Sequence, residues 1–204
     1  MPNPRLIVGI SGASGVIYAI RLLEMLRTLK IDAHLVISKA GEMTIGYETS
    51  FSPAEVARLA HTVYAPGDIA APIASGSFRT LGMVVAPCSV RSMSEIATGV
   101  TTGLLTRAAD VTLKERRRLV LMVRETPLHL GHLRTMTQLA EMGAIIAPPL
   151  PAFYAEPQSL DDVIHQSAAR VLDLFGLEPP RIRRWGEDLA KGRRKAPRKD
   201  QEDA

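Results

Sequence analysis

Short apolar runs alternate with longer amphipathic segments along this chain, and that alternation fixes the class of fold. Runs at Leu6–Ile10, Ala33–Ile37, Met83–Ala86, Leu119–Val123 and Ala144–Ala147 read as buried strands. Helical segments fill the spaces between them. They run from Val16 to about Lys30, over Ser92–Thr98, from Leu104 to about Arg117, over Leu130–Met142, and from the Ser159 cap to about Phe175. Ser52-Pro53-Ala54-Glu55 is a capping box that opens one more short helix. Gly143 and Gly176 follow helix ends, where a left-handed residue is needed. Short connections between alternating elements imply an α/β, doubly wound, mostly parallel sheet of Rossmann-like type, covered by helices on both faces.

At 204 residues the chain supports one domain with a sizeable core, read as residues 1–186. Residues 187–204 read as a disordered tail of mixed charge. Basic residues gather toward it, which accounts for the formal charge of +4. A nucleic-acid role is not expected, because no aromatic follows Trp185 to stack on a base and no zinc-finger spacing occurs. No apolar stretch is long enough to span a bilayer, and the N-terminus does not read as a signal peptide. The single cysteine, Cys88, fits a reducing, cytoplasmic setting and reads as a small core residue rather than a nucleophile. His129 and His132 lack an evident third ligand, so no metal is expected there. Met136 and Met142 read as core.

In open α/β sheets, ligands bind just beyond the carboxyl ends of the strands. Three such ends carry polar groups here. Gly9-Ile10-Ser11-Gly12-Ala13-Ser14-Gly15 joins the first strand to the first helix, where glycines permit close approach and helix amides favour phosphate. Its G-x-x-G-x-x-G spacing is neither the dinucleotide fingerprint nor a P-loop. The second strand ends in Ser38-Lys39 where a dinucleotide site would place an acid, which favours a mononucleotide. The third ends in Pro87-Cys88-Ser89, with Arg91 and Ser92 close behind. Beyond Leu119–Val123 lies Arg124-Glu125-Thr126-Pro127-Leu128-His129-Leu130-Gly131-His132, a charged, proline-turned segment placed where a site belongs.

These segments together resemble the flavin prenyltransferase family (UbiX-like proteins). The resemblance runs from about Leu6 to Trp185. Its specific pieces are Val8-Gly9-Ile10-Ser11-Gly12-Ala13-Ser14-Gly15, Ser75-Gly76-Ser77-Phe78, Ala86-Pro87-Cys88-Ser89, Leu105-Thr106-Arg107-Ala108-Ala109-Asp110-Val111, Leu113-Lys114-Glu115-Arg116, Arg124-Glu125-Thr126-Pro127-Leu128 and Pro148-Pro149-Leu150-Pro151-Ala152-Phe153-Tyr154. It implies an FMN-binding flavoprotein that joins the dimethylallyl group of dimethylallyl phosphate to N5 and C6 of reduced FMN, without metal. The product, prenylated FMN, would serve a partner UbiD-like decarboxylase, and the assembly would be a homododecamer.

By match to the family's motifs, Gly12, Ala13, Ser14, Ser38, Ser89, Val90, Arg91, Ser92 and Arg124 would hold FMN. Tyr154 and Arg170 would bind the prenyl phosphate, with Lys114 and Arg107 as further cations, open to contribution by a neighbouring subunit. Trp185 would lie near the pocket. Catalytic roles would fall on Glu125, Glu48, Ser14 and Lys114. The residue chemistry agrees: an allylic phosphate leaves slowly unless its charge is neutralised, and these cations can do that. Tyr154 and Trp185 offer electron-rich walls to an allyl cation. Two departures stand out, since Arg91-Ser92 replaces the Lys-Thr of many members and Glu95 replaces a smaller residue. Two rival readings stay open, an FMN-dependent cysteine decarboxylase and a non-catalytic flavin-binding accessory subunit. The Asn-containing motifs of the former are missing here.

Overall fold

A computed structural model of the chain describes residues 3–187. The tail expected over 187–204 therefore lies, Glu187 apart, outside the described residues. Six strands, β1 (Arg5–Ile10), β2 (Asp32–Ile37), β3 (Thr62–Tyr64), β4 (Gly82–Cys88), β5 (Arg118–Val123) and β6 (Ile145–Ile146), form one sheet in the order β3-β2-β1-β4-β5-β6. Every pairing is parallel. The helices are α1 (Val16–Thr28), α2 (Lys39–Glu48), α3 (Pro53–Ala57), α4 (Val90–Thr98), α5 (Leu104–Lys114), α6 (Leu130–Glu141) and α7 (Leu160–Asp173). The chain winds outward from β1 to β3, then returns to the centre at β4 and winds outward again. The gap between the ends of β1 and β4 is thus the switch point at which ligands bind in such sheets.

The strands are continuous apolar runs because both faces are covered. Leu6, Val8, Ile10, Leu35, Val84, Val120 and Met122 face Ile20, Leu23 and Leu26 of α1 and Ala168 and Leu172 of α7. Ile7, Val36, Met83, Val85, Leu119 and Leu121 face the other way, toward Met93 and Ile96 of α4, Leu105 and Ala108 of α5, and Leu139 of α6. Among the described residues no helix is long and apolar enough to cross a membrane.

Several boundaries differ from the sequence reading. α2 and β3 were not expected, and β6 is two residues long rather than spanning Ala144–Ala147. α5 stops at Lys114, short of Arg117, and Arg116 sits in the left-handed region at φ 53. Met142 is exposed, not core, whereas Met136 packs against the second cluster.

One polar side chain is built into the sheet. His34 of β2 is 5% exposed, its Nδ1 lies 2.8 Å from the Tyr64 hydroxyl, and Phe78 meets its ring edge-on at 5.0 Å. Its Nε2 is buried without a partner. Burial, helped by the nearby charges of Arg5 and His61 and opposed by Asp32, pushes this imidazole down to about 4.

Candidate active site

A groove of about 510 Å³ opens beyond the carboxyl ends of β1, β2 and β4. It is large enough for a mononucleotide. Two helices start on it, each capped by its own serine. Ser38 Oγ accepts the Gly41 N–H at 3.0 Å, and Ser89 Oγ accepts the Ser92 N–H at 3.2 Å. The remaining first-turn amides of α2 and α4 have no helical acceptor, and both dipoles favour an anion here. Lys39 and Arg91 add charge, while Val90 and Leu105 add apolar surface. The opposite wall comes from Pro66-Gly67 and Thr102-Gly103, joined where Leu104 N–H donates to Pro66 O at 2.9 Å.

The floor is fixed by Ser11. Its hydroxyl donates to Pro87 O at 2.8 Å and accepts the Ser89 N–H at 2.8 Å, so one buried side chain ties the end of β1 to the end of β4. Gly12 is needed for a close approach, since a Cβ there would lie 2.3 Å from Ala40 Cβ. Gly12→Ala should therefore push the first turn away from α2 and lower stability by about 2 kcal/mol. A thermal melt indistinguishable from that of the parent chain would contradict this close packing.

The glycine turn itself differs from expectation in one respect. Gly15, at φ 103, begins α1 without a side-chain cap of its own. Glu48, at the end of α2, supplies the missing acceptor: its Oε2 receives the Gly15 N–H at 2.7 Å and the Val16 N–H at 3.4 Å. Two of the amides at this turn are thus taken by a carboxylate. The starts of α2 and α4 keep first-turn amides open to an anion. Ser14 is exposed on the same turn and Ala13 is half-buried; neither lines the groove. Arg124 N–H donates to Cys88 O at 3.1 Å, and its guanidinium reaches within 3.4 Å of where a Gly15 Cβ would stand. Nearby, burial raises the Tyr18 phenol and the Arg124 charge partly offsets that rise.

Tyr154 and Arg170 meet in a separate cleft of about 120 Å³, walled by Met122, Pro148-Pro149-Leu150 and α7. Trp185, largely exposed, meets the Tyr154 ring edge-on at 5.7 Å. Arg124 and exposed Glu125 follow β5, the strand beside β4 whose Met122 walls this cleft, and neither residue lines the cleft or the groove. Among the described residues the Glu125 Oε1 accepts its neighbour's Thr126 N–H, at 3.0 Å. Lys114 and Arg107 are not brought to either hollow. α5 runs from the groove down to the opposite edge of the sheet, so Lys114 lies about 15 Å below its start. There it pairs with Glu115 at 2.6 Å, while Arg107 pairs with Asp110 at 2.7 Å.

Other sequence expectations find local explanations. His129 caps α6, its Nδ1 accepting the Gly131 N–H at 3.0 Å, and it stacks on His132. Among the described residues no cluster of His, Cys, Asp or Glu could hold a metal. Burial pushes the Cys88 thiol up to about 12, which leaves it inert as a nucleophile. A further hollow, between α7 and residues 181–183, collects none of the expected site residues. Sequence reasoning missed Ser11, Pro66-Gly67, Thr102 and Thr106. Ser11 was legible as the polar residue inside the turn, whereas Pro66-Gly67 and Thr102 reach the groove through the tertiary return of two loops and Thr106 through the first turn of α5.

The Flavoprotein family model matches residues 1–172. The flavin prenyltransferase UbiX of Escherichia coli (strain K12) is 61% identical over 184 residues, covering 89% of this chain and 97% of that protein. Among solved structures, AnUbiX (PadA1) in complex with FMN and dimethylallyl pyrophosphate superposes with a TM-score of 0.88 at 48% identity, covering 90% of this chain and 97% of that one. A dodecameric FMN-dependent UbiX-like decarboxylase from E. coli O157:H7 gives 0.87 at 50% identity, covering 89% of this chain and 98% of that one. Likeness of this degree over nearly the whole length, on a sheet whose switch point carries the expected motifs, makes this chain a member of the flavin prenyltransferase (UbiX) family.

Proposed function

We propose that this chain transfers the dimethylallyl group of dimethylallyl phosphate to N5 and C6 of reduced FMN. The product, prenylated FMN, passes to a UbiD-like decarboxylase. The observation that supports this reading is that one chain carries two hollows, an anion-friendly groove and a Tyr154–Arg170 cleft walled by β5, the strand that leads into Arg124 and Glu125. A flavin that merely sat as a resident cofactor would need only the first.

The groove fits FMN by its volume, its two helix starts and its apolar wall. Gly12 and Ser38 would border the ligand, the amides of Val90 and Arg91 would meet its phosphate beside Ser89 and Ser92, and Ala13 with Ser14 would close the turn. Reduced FMN supplies the nucleophilic positions N5 and C6. Arg170 and Tyr154 bind the prenyl phosphate. Lys114 and Arg107 neutralise its departing charge from a neighbouring subunit, because their own chain holds them away from the cleft. Phosphate leaves with the C–O bond pair while the Tyr154–Trp185 edge contact walls the allyl carbon. That displacement makes the bond to N5; the bond to C6 then consumes the remaining alkene, which takes up one proton as C6 gives one up, and Glu125 carries that proton. Glu48 acts by holding the turn that carries Ser14.

Exposed Met43, Tyr47, Leu130, Leu133, Leu150 and Phe153 support assembly of this chain into a homo-oligomer, with the dodecamer as the expected state. Residues 1–186 act as one unit, and the setting is cytoplasmic. Anaerobic incubation with reduced FMN and dimethylallyl phosphate, followed by mass spectrometry of the flavin, should reveal addition of one five-carbon unit. A parallel arm with the diphosphate reads substrate preference. Unmodified flavin from folded, FMN-loaded protein would overturn the assignment.

A further inference from the structure

A carboxylate stands where a phosphate groove least favours one. Among the described residues that line the groove, Glu95 is the only acid. Its side chain is only 15% exposed, and it accepts from Arg91 Nε at 2.9 Å and from Thr102 Oγ1 at 2.6 Å. Burial alone would raise its carboxyl, but the hydrogen bonds from Thr102, Arg91 and Thr106, with the Arg91 charge, hold it below the usual range. It is therefore a fixed negative charge at neutral pH. Its partner is placed one helical turn earlier on α4, and the Arg91 guanidinium lies along the helix with 80% of its side chain exposed. The Arg91 amide stays with the helix start, while its cation is engaged elsewhere.

We propose that Glu95 is a positioning residue that weakens the grip of the groove on flavin phosphate, by keeping the Arg91 guanidinium paired along α4 and by setting a negative charge in the groove wall. This inference rests on the reading that FMN is consumed rather than kept. A transferase of that kind must let the modified flavin go to another protein. Two helix starts, Lys39 and an unengaged Arg91 would together retain a dianion for longer. The competing role for Glu95 is a staple, holding the 99–103 linker through Thr102. A staple would affect any flavin, whereas a charge device affects only the phosphorylated one.

Affinity and release rate are to be measured by flavin fluorescence on the full chain, with FMN and with riboflavin, which lacks the phosphate. Glu95→Gln should bind FMN about fivefold more tightly and release it more slowly, with riboflavin unchanged. The gain should shrink at high salt, and on an Arg91→Ala background Glu95→Gln should give a smaller gain, because only the wall charge is then removed. Thr102→Val, which loosens the linker and keeps the charge, should not tighten FMN binding. Equal weakening of both flavins in Glu95→Gln, or no change for FMN, would overturn the proposal. Should the parent chain bind neither flavin, the functional reading itself falls, and this inference with it.

Discussion

Lys114→Ala is expected to retain FMN and to lose prenyl transfer by about 10²–10³-fold. The residue's local contact is an exposed pair with Glu115, so its removal should leave the fold intact. On the proposed reaction its effect falls on the leaving phosphate, whose negative charge grows as the C–O bond breaks. The direction of α5 makes this prediction sharper. A cation held at the opposite edge of the sheet does not reach its own chain's cleft, so on the proposed reaction it serves another's. Mixing Lys114→Ala subunits with Arg170→Ala subunits, each inactive alone, should restore about a quarter of the sites by random co-assembly. Turnover by Lys114→Ala equal to that of the parent would remove the residue from the mechanism. Failure of the mixture to recover would refute the shared site.

Acidification should destabilise the protein through His34 by about 3 kcal/mol between neutral pH and pH 4. In the unfolded chain this imidazole takes a proton as the pH falls through its ordinary 6.5, whereas in the folded chain it stays neutral until about 4. The unfolded state therefore binds more protons across that window, and stability falls with falling pH there. Below about 4 both states are charged and the contribution levels off. The groups facing the ring offer little relief: Arg5 and His61 repel the charge, Phe78 covers one edge, and Asp32 already faces His61 at 3.5 Å. Denaturant titrations at several pH values should give a shallower acid decline for His34→Gln than for the parent chain. A direct check is the imidazole's own titration by NMR; protonation near pH 6.5 in the folded protein would contradict the prediction.

The parts of the fold that were legible in the sequence carry strong local chemistry. β1 and β5 are unbroken apolar runs, α1 and α6 carry apolar stripes, and α7 adds a serine cap; their limits fall within a few residues of expectation. α2 was not legible because only Gly41 and Ile45 are buried along it, which leaves no apolar stripe. It is held instead by backbone contact, since a Cβ on Gly41 would lie 2.7 Å from Ile10 O. β3 is three residues at the sheet edge, with Val63 exposed, and is too short for periodicity to register. In the candidate site, the strand ends announced themselves through Ser38 and Ser89, whereas the role of Glu48 depends on where α2 finishes. The far position of Lys114 followed from helix direction, which no motif encodes.

The Ser11 tie has a consequence for what this crevice can be made to accept. Its hydroxyl continues the β1–β4 ladder past the last paired residues, so the two halves of the sheet stay joined up to the foot of the crevice. Room for a larger flavin analogue is then to be sought at the sides, along Pro66-Gly67 and the 99–103 linker. Redesign for bulkier isoalloxazines therefore belongs in those two loops, with the serine left untouched.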